Sequence, residues 1–183
     1  MGKNYIISVC FLTMSVLCCW AVAPASSEVI DRIVAILDGD LILLSEVREH
    51  AIRPATRAVA NLQTVETSEE DILHYIIERQ LLTHEVEYLA VPRDLEQAKE
   101  FAIRYIVATY YQQDEQAFSN AVQTAGITED ELDRELMLYM KGIDYIRRKY
   151  RFNEDVEDAD KVLSLYTNWL KGLKNQTTIQ LVF

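Results

Sequence analysis

The chain has 183 residues, half of them apolar, with 18 basic and 29 acidic side chains and a formal charge of −11. That balance excludes a nucleic-acid binder, which needs a basic footprint to neutralise phosphates. The apolar content, with only five glycines and three prolines, excludes an intrinsically disordered chain and leaves room for one domain.

The first segment reads as an export signal. Lys3 gives the positive start, residues 5–23 carry no charge, and Ala23-Pro24-Ala25 is a small-x-small site with cleavage expected between Ala25 and Ser26. An uncleaved anchor is the alternative, since about twenty apolar residues can span a bilayer. It would be the only membrane contact. A lipoprotein attachment at Cys18 or Cys19 fits less well, because Leu17 and Cys18 are not small. All three cysteines (Cys10, Cys18 and Cys19) lie in this segment, so residues 26–183 can form no disulfide and no thiolate site. Cleavage removes only Lys3 among the charges and leaves an acidic exported protein.

Residues 29–44 read as a β-hairpin: Ile30, Ile33, Val34, Ile36 and Leu37 run to Asp38-Gly39, a pair that tolerates positive φ, and residues 41–44 return. Ser45 suits an N-cap, and residues 46–60 suit a helix that Pro54 kinks or ends. A polar linker occupies 61–67. Thr67 with Glu70, and Ser68 with Asp71, have capping-box spacing ahead of residues 72–89, which are apolar on several sides and predict a central strut. Pro92 breaks the chain before a helix over 94–112, with Leu95, Ala98, Ala102, Tyr105 and Ile106 toward the core.

A shorter helix over 115–125 ends at Gly126. Thr128 and Glu131 cap the next one, whose core stripe is Leu132, Leu136, Met140, Ile143, Ile146 and Tyr150. After an acidic junction at 153–160, a last helix sets Val162, Tyr166, Trp169, Leu170 and Leu173 on one face, and 177–183 alternates as a strand. An isolated hairpin is marginal, so that strand is expected to pair with the hairpin. The fold class is therefore mainly α, with a small antiparallel sheet made by the two ends. Two chains could exchange those ends and form a homodimer.

Catalytic motifs are missing: no Gly-x-Ser-x-Gly, phosphate loop or dinucleotide fingerprint occurs. His74, Glu78 and Glu85 share a helix face, which a metal could use; a solvated polar strip explains them better, and no cofactor or metal is expected. The basic run Arg147-Arg148-Lys149-Tyr150-Arg151 suits the negative end of its helix and the acidic stretch after it. Asn175-Gln176-Thr177 is a glycosylation triplet of a kind common by chance. Apolar residues off the core stripes are the functional signal: Val107 and Tyr111 on one helix, Leu138 and Tyr145 on another. They predict an exposed patch for binding apolar segments, unless another helix covers them.

Three stretches carry a family resemblance: residues 29–47 (VIDRIVAILDGDLILLSEV), 76–82 (IIERQLL) and 125–132 (AGITEDEL). Together they resemble the strand, Asp-Gly turn, return strand, Ser-capped helix, central helix and next long helix of the SurA-type periplasmic chaperones. The resemblance covers nearly all of 26–183 and rests on no single chemical motif. It implies one core built from an N-terminal module, 28–152, and a returning helix and strand, 153–183. The family usually enters a parvulin prolyl-isomerase domain after the equivalent of Arg151-Phe152; here an acidic junction leads straight to the last helix. Isomerase activity is therefore not carried over. What the resemblance implies is ATP-independent holding of unfolded outer-membrane proteins in the periplasm. Two readings from other classes stand beside it: a non-catalytic subunit binding one specific partner, and an isomerase-related enzyme.

Overall fold

The computed structural model describes residues 31–62 and 68–182. The segment read as an export signal, its three cysteines, Ile30, Thr67 and Phe183 lie outside the described residues. In chain order the elements are β1 (Ile33–Leu37), β2 (Asp40–Leu43), α1 (Leu44–Ile52), α2 (Pro54–Val59), α3 (Glu69–Val86), α4 (Leu95–Tyr110), α5 (Glu115–Ala125), α6 (Glu129–Tyr150), α7 (Ala159–Gln176) and β3 (Ile179–Leu181). The expected class holds: seven helices among the described residues, and a small antiparallel sheet of order β2-β1-β3.

The hairpin turns where the sequence says it should, with Asp38 at φ 49 and Gly39 at φ 101, both in the left-handed region that a tight hairpin turn needs. The C-terminal strand then returns to β1 from the far end of the chain, aligning Ala35 with Leu181, Ile36 with Gln180 and Leu37 with Ile179. Asp38 holds the join twice. Its N–H donates to the Thr178 carbonyl at 3.1 Å, and its carboxylate accepts the Thr178 N–H at 2.8 Å. The sheet register slips between Ile33 and Ala35. Such a bulge puts consecutive side chains on one side, and Val34 and Ala35 are accordingly both buried.

Local signals set the helix ends. Ser68 accepts the Asp71 N–H and gives its own N–H to the Asp71 carboxylate. Thr128 and Glu131 do the same, and Asp94, Asp114 and Asp158 cap α4, α5 and α7. Pro54 splits the first helical stretch, leaving Arg53 extended (φ −70°, ψ 122°) and standing at N1 of α2. Gly126 closes α5 at φ 64.

Ser45 is a correction. The helix begins at Leu44, two residues earlier than expected, and Ser45 caps nothing. Its N–H and hydroxyl are instead both donated to the carboxylate of Asp31, from before β1. That hydrogen bonding from Ser45 holds the Asp31 carboxyl below its ordinary value of 3.8. A carboxyl whose pKa is lowered by folding stabilises the fold above its unfolded pKa, and the contribution is lost as pH falls through the folded value. Asp31→Asn should therefore flatten the stability profile below about pH 4, with little change in its shape near neutrality. An unchanged acid limb in chemical melts would show that Asp31 does not hold the start of α1.

Helix α3 is buried around much of its circumference, from Ile72 and Leu73 to Leu82 and Val86. The hub, however, is α6, which packs against α2, α3, α4 and α7. Leu132, Leu136, Tyr139, Met140, Ile143 and Ile146 form its inward side. Gly142 lets α7 approach: a Cβ there would lie 2.9 Å from the Tyr166 ring and 3.3 Å from Trp169. Leu95, expected in the core stripe of α4, is instead exposed at the helix start. Among the described residues no helix is long and apolar enough to cross a membrane.

Candidate functional site

The four residues expected to form an exposed patch do not form one. Val107 and Tyr111 are buried. The Tyr111 ring stands edge-on to Phe118 of α5 at 5.4 Å, and its hydroxyl donates to the Ala58 carbonyl of α2. Burial pushes its pKa up to about 12. Leu138 and Tyr145 are half-buried against the core, with Trp169 of α7 lying 5.6 Å from the Tyr145 ring. Helices α2 and α5 thus meet Tyr111, and α7 meets Tyr145, which helical spacing within α4 and α6 alone cannot show. Val107→Ser and Tyr111→Ser should each cost about 2 to 4 kcal/mol of stability, read as a lowered urea midpoint. Full stability would return both residues to the surface.

Glu78 is a second correction. It does not stand on a solvated strip with His74 but is buried, accepting from the Tyr105 hydroxyl at 3.0 Å and from the Lys174 ammonium at 2.9 Å. Lys174 belongs to α7, so this pair ties the returning helix to α3. A parallel cluster surrounds Glu135 of α6, which takes hydrogen bonds from Tyr75 and, at 3.2 Å, from Thr56, and faces Arg79 at 3.2 Å. Burial works against the Arg79 charge, and Tyr75 and Glu135 outweigh it. Tyr105 links the layers, 4.9 Å from the Tyr166 ring at 88° and 5.7 Å from Tyr139. Sequence periodicity set Tyr105 and Tyr166 on core-facing stripes, did not single out Tyr75 or Tyr139, and gave no sign of the carboxylates between them.

The basic run behaves as its position implies. Arg147 donates to the Val156 carbonyl and pairs with Glu157 at 3.3 Å, while Arg148 pairs with Asp144 at 2.9 Å. Lys149 lies over the Tyr145 and Tyr150 rings. Among the described residues no group of three or more His, Cys, Asp or Glu side chains could hold a metal ion.

Accessible apolar surface lies elsewhere. Tyr88 is 92% exposed, Phe152 83% and Ile52 74%. All three stand at helix ends or in connections, where period-3.6 reasoning does not reach. Ile52 lines a groove of about 270 Å³ with Pro54, Arg57, Thr124 and Ala125. A second groove, about 120 Å³, opens beside the sheet. Val34, Leu44, Val47, Leu73 and Val182 form its apolar wall, and Arg32, Glu69 and Glu70 its rim. The bulge in β1 is what aims Val34 into it.

Compared with protein-family models, curated proteins and solved structures, the chain matches none.

The structure offers an apolar core braced by the Glu78 and Glu135 clusters and separate apolar contact points on its surface, together with two grooves. Such a surface can make many weak contacts with an apolar chain, each contributing by burial.

Proposed function

We propose that the chain is an ATP-independent chaperone of SurA type that holds unfolded outer-membrane proteins in the periplasm, with no isomerase step of its own. The observation that carries this reading is the set of large apolar side chains left most open to solvent, Tyr88, Phe152 and Ile52, on a body that buries most of its apolar side chains in one core. The resemblance in residues 29–47, 76–82 and 125–132 supports it, as does a terminal strand that returns to the hairpin to make one core. The sequence of residues 1–25 supports export. A net charge of −11 keeps the body soluble while it presents apolar surface.

The test is promiscuity. Two unrelated outer-membrane polypeptides, fluorescently labelled and diluted from urea, should each bind the chain saturably, compete with one another, and leave without ATP. Binding to neither, with capture of one folded periplasmic protein instead, would replace the holding reading by that of a dedicated interaction subunit.

A further inference from the structure

The sheet ends in an open edge. β1 is paired on both sides, whereas among the described residues nothing pairs with the outer side of β3. The direction of its free groups follows from the ladder. Val182 donates to the Val34 carbonyl and Asp38 to the Thr178 carbonyl, so residues 178, 180 and 182 face β1. In an antiparallel ladder the intervening residues turn their N–H and C=O the other way, and here those are Ile179 and Leu181.

The edge lacks the usual protections. Residues 177–182 contain no charge and no proline, the two devices that most often blunt edge strands. Leu181 and Val182 are 39% and 40% exposed. Val182 also lines the 120 Å³ groove, so backbone donors and acceptors run beside an apolar slot. The groove rim is asymmetric in charge. Glu69 lies within 3.7 Å of Arg32 and 3.6 Å of Arg48, while among the described residues Glu70 is paired only with the His74 imidazole at 3.9 Å. The other groove, at Ile52, has no strand edge among its lining residues.

We propose that β3 is a docking edge for an extended polypeptide strand, which adds antiparallel or parallel to Ile179 and Leu181, places an apolar side chain in the groove of Val34, Leu44, Val47, Leu73 and Val182, and sets a cationic side chain against Glu70. Main-chain bonds supply sequence-tolerant affinity and the groove supplies the preference for alternating apolar residues. This rests on the holding reading for the choice of client. Strands of outer-membrane barrels alternate apolar and polar side chains, which is the pattern such an edge accepts.

The probe is a short synthetic peptide of alternating valine and threonine with one lysine, fluorescently labelled and titrated with the purified chain. Leu181→Pro deletes an outward donor and leaves the β1-facing bonds in place, a substitution edge strands accept. It should weaken peptide binding roughly tenfold with an unchanged circular dichroism spectrum. Should Leu181→Pro fail to fold, Leu181→Lys keeps every backbone bond and should block the edge by charge. Glu70→Lys should weaken binding roughly threefold and improve binding of a glutamate-containing peptide.

Equal peptide affinity in a folded edge variant overturns the docking site. If the same variant still binds unfolded barrels, the holding reading stands without it. Peptide binding at the edge with no affinity for unfolded barrels sinks the holding reading and keeps the edge. A chain that is dimeric, that dissociates on Leu181→Pro and ignores the peptide, would assign the edge to a second copy and overturn the proposal.

Discussion

Glu135→Ala is expected to cost about 3 to 5 kcal/mol, the range for breaking a buried ion pair by removing one partner. The reason lies in what stays behind. Arg79 is only 19% exposed on its side chain, and its remaining contacts, the Glu135 backbone carbonyl at 2.9 Å, the Tyr75 hydroxyl at 3.4 Å and the Tyr75 ring, carry no negative charge. The Tyr75 hydroxyl and Thr56 are fully enclosed and lose their acceptor, and unsatisfied buried groups cost about 1 to 3 kcal/mol each. Glu78→Ala should cost less, because its cation, Lys174, is 42% exposed and can turn to water. Glu135→Gln keeps an acceptor for Tyr75 and should lose roughly half as much. Urea unfolding of the three variants gives the order directly. A Glu135→Ala loss below about 1 kcal/mol would mean that water reaches this cluster.

The second large effect is steric. At Gly142 a Cβ meets the ring of Tyr166, which is fully buried and wedged edge-on against Tyr105. Alanine gains about 1 kcal/mol of helix propensity over glycine, yet overpacking a dense core costs about 1 to 3 kcal/mol. The ring edge cannot swing away, so Gly142→Ala should be destabilising by about 1 kcal/mol and Gly142→Leu by about 3 kcal/mol or more. The strain falls on the α6–α7 contact, and α7 delivers β3 to the sheet. Amide exchange in β3 should accelerate in Gly142→Leu before that in β2. Equal protection of both strands would separate the closing of the sheet from α7 packing.

Much of this was legible in the sequence, for reasons particular residues make plain. Asp38-Gly39, Pro54, Gly126 and the Ser68 and Thr128 boxes act through groups within four residues of themselves, so their outcomes follow from local chemistry. The return of β3 to β1 followed from the instability of a lone hairpin. What the sequence withheld depends on distant partners. Ser45 looks like a cap until Asp31, fourteen residues earlier, takes its N–H. Glu78 looks solvated until Lys174 arrives from the other end of the chain. Val107 and Tyr111 look exposed, yet both are buried, with α2 and α5 meeting the Tyr111 ring and hydroxyl. Their helical positions were read correctly, but the covering elements belong to topology. The groove beside β3 depends on a bulge at Val34, which no turn residue announces.

The holding reading is tested most directly by light scattering. An outer-membrane β-barrel unfolded in urea and diluted into buffer aggregates within minutes, and the signal is followed with and without near-stoichiometric amounts of the chain, in the absence of ATP. The folded wild-type chain should suppress the scattering, and Leu181→Pro should suppress it less. Unchanged scattering, from a sample whose circular dichroism shows the helical fold, would contradict the claim that this protein holds unfolded chains.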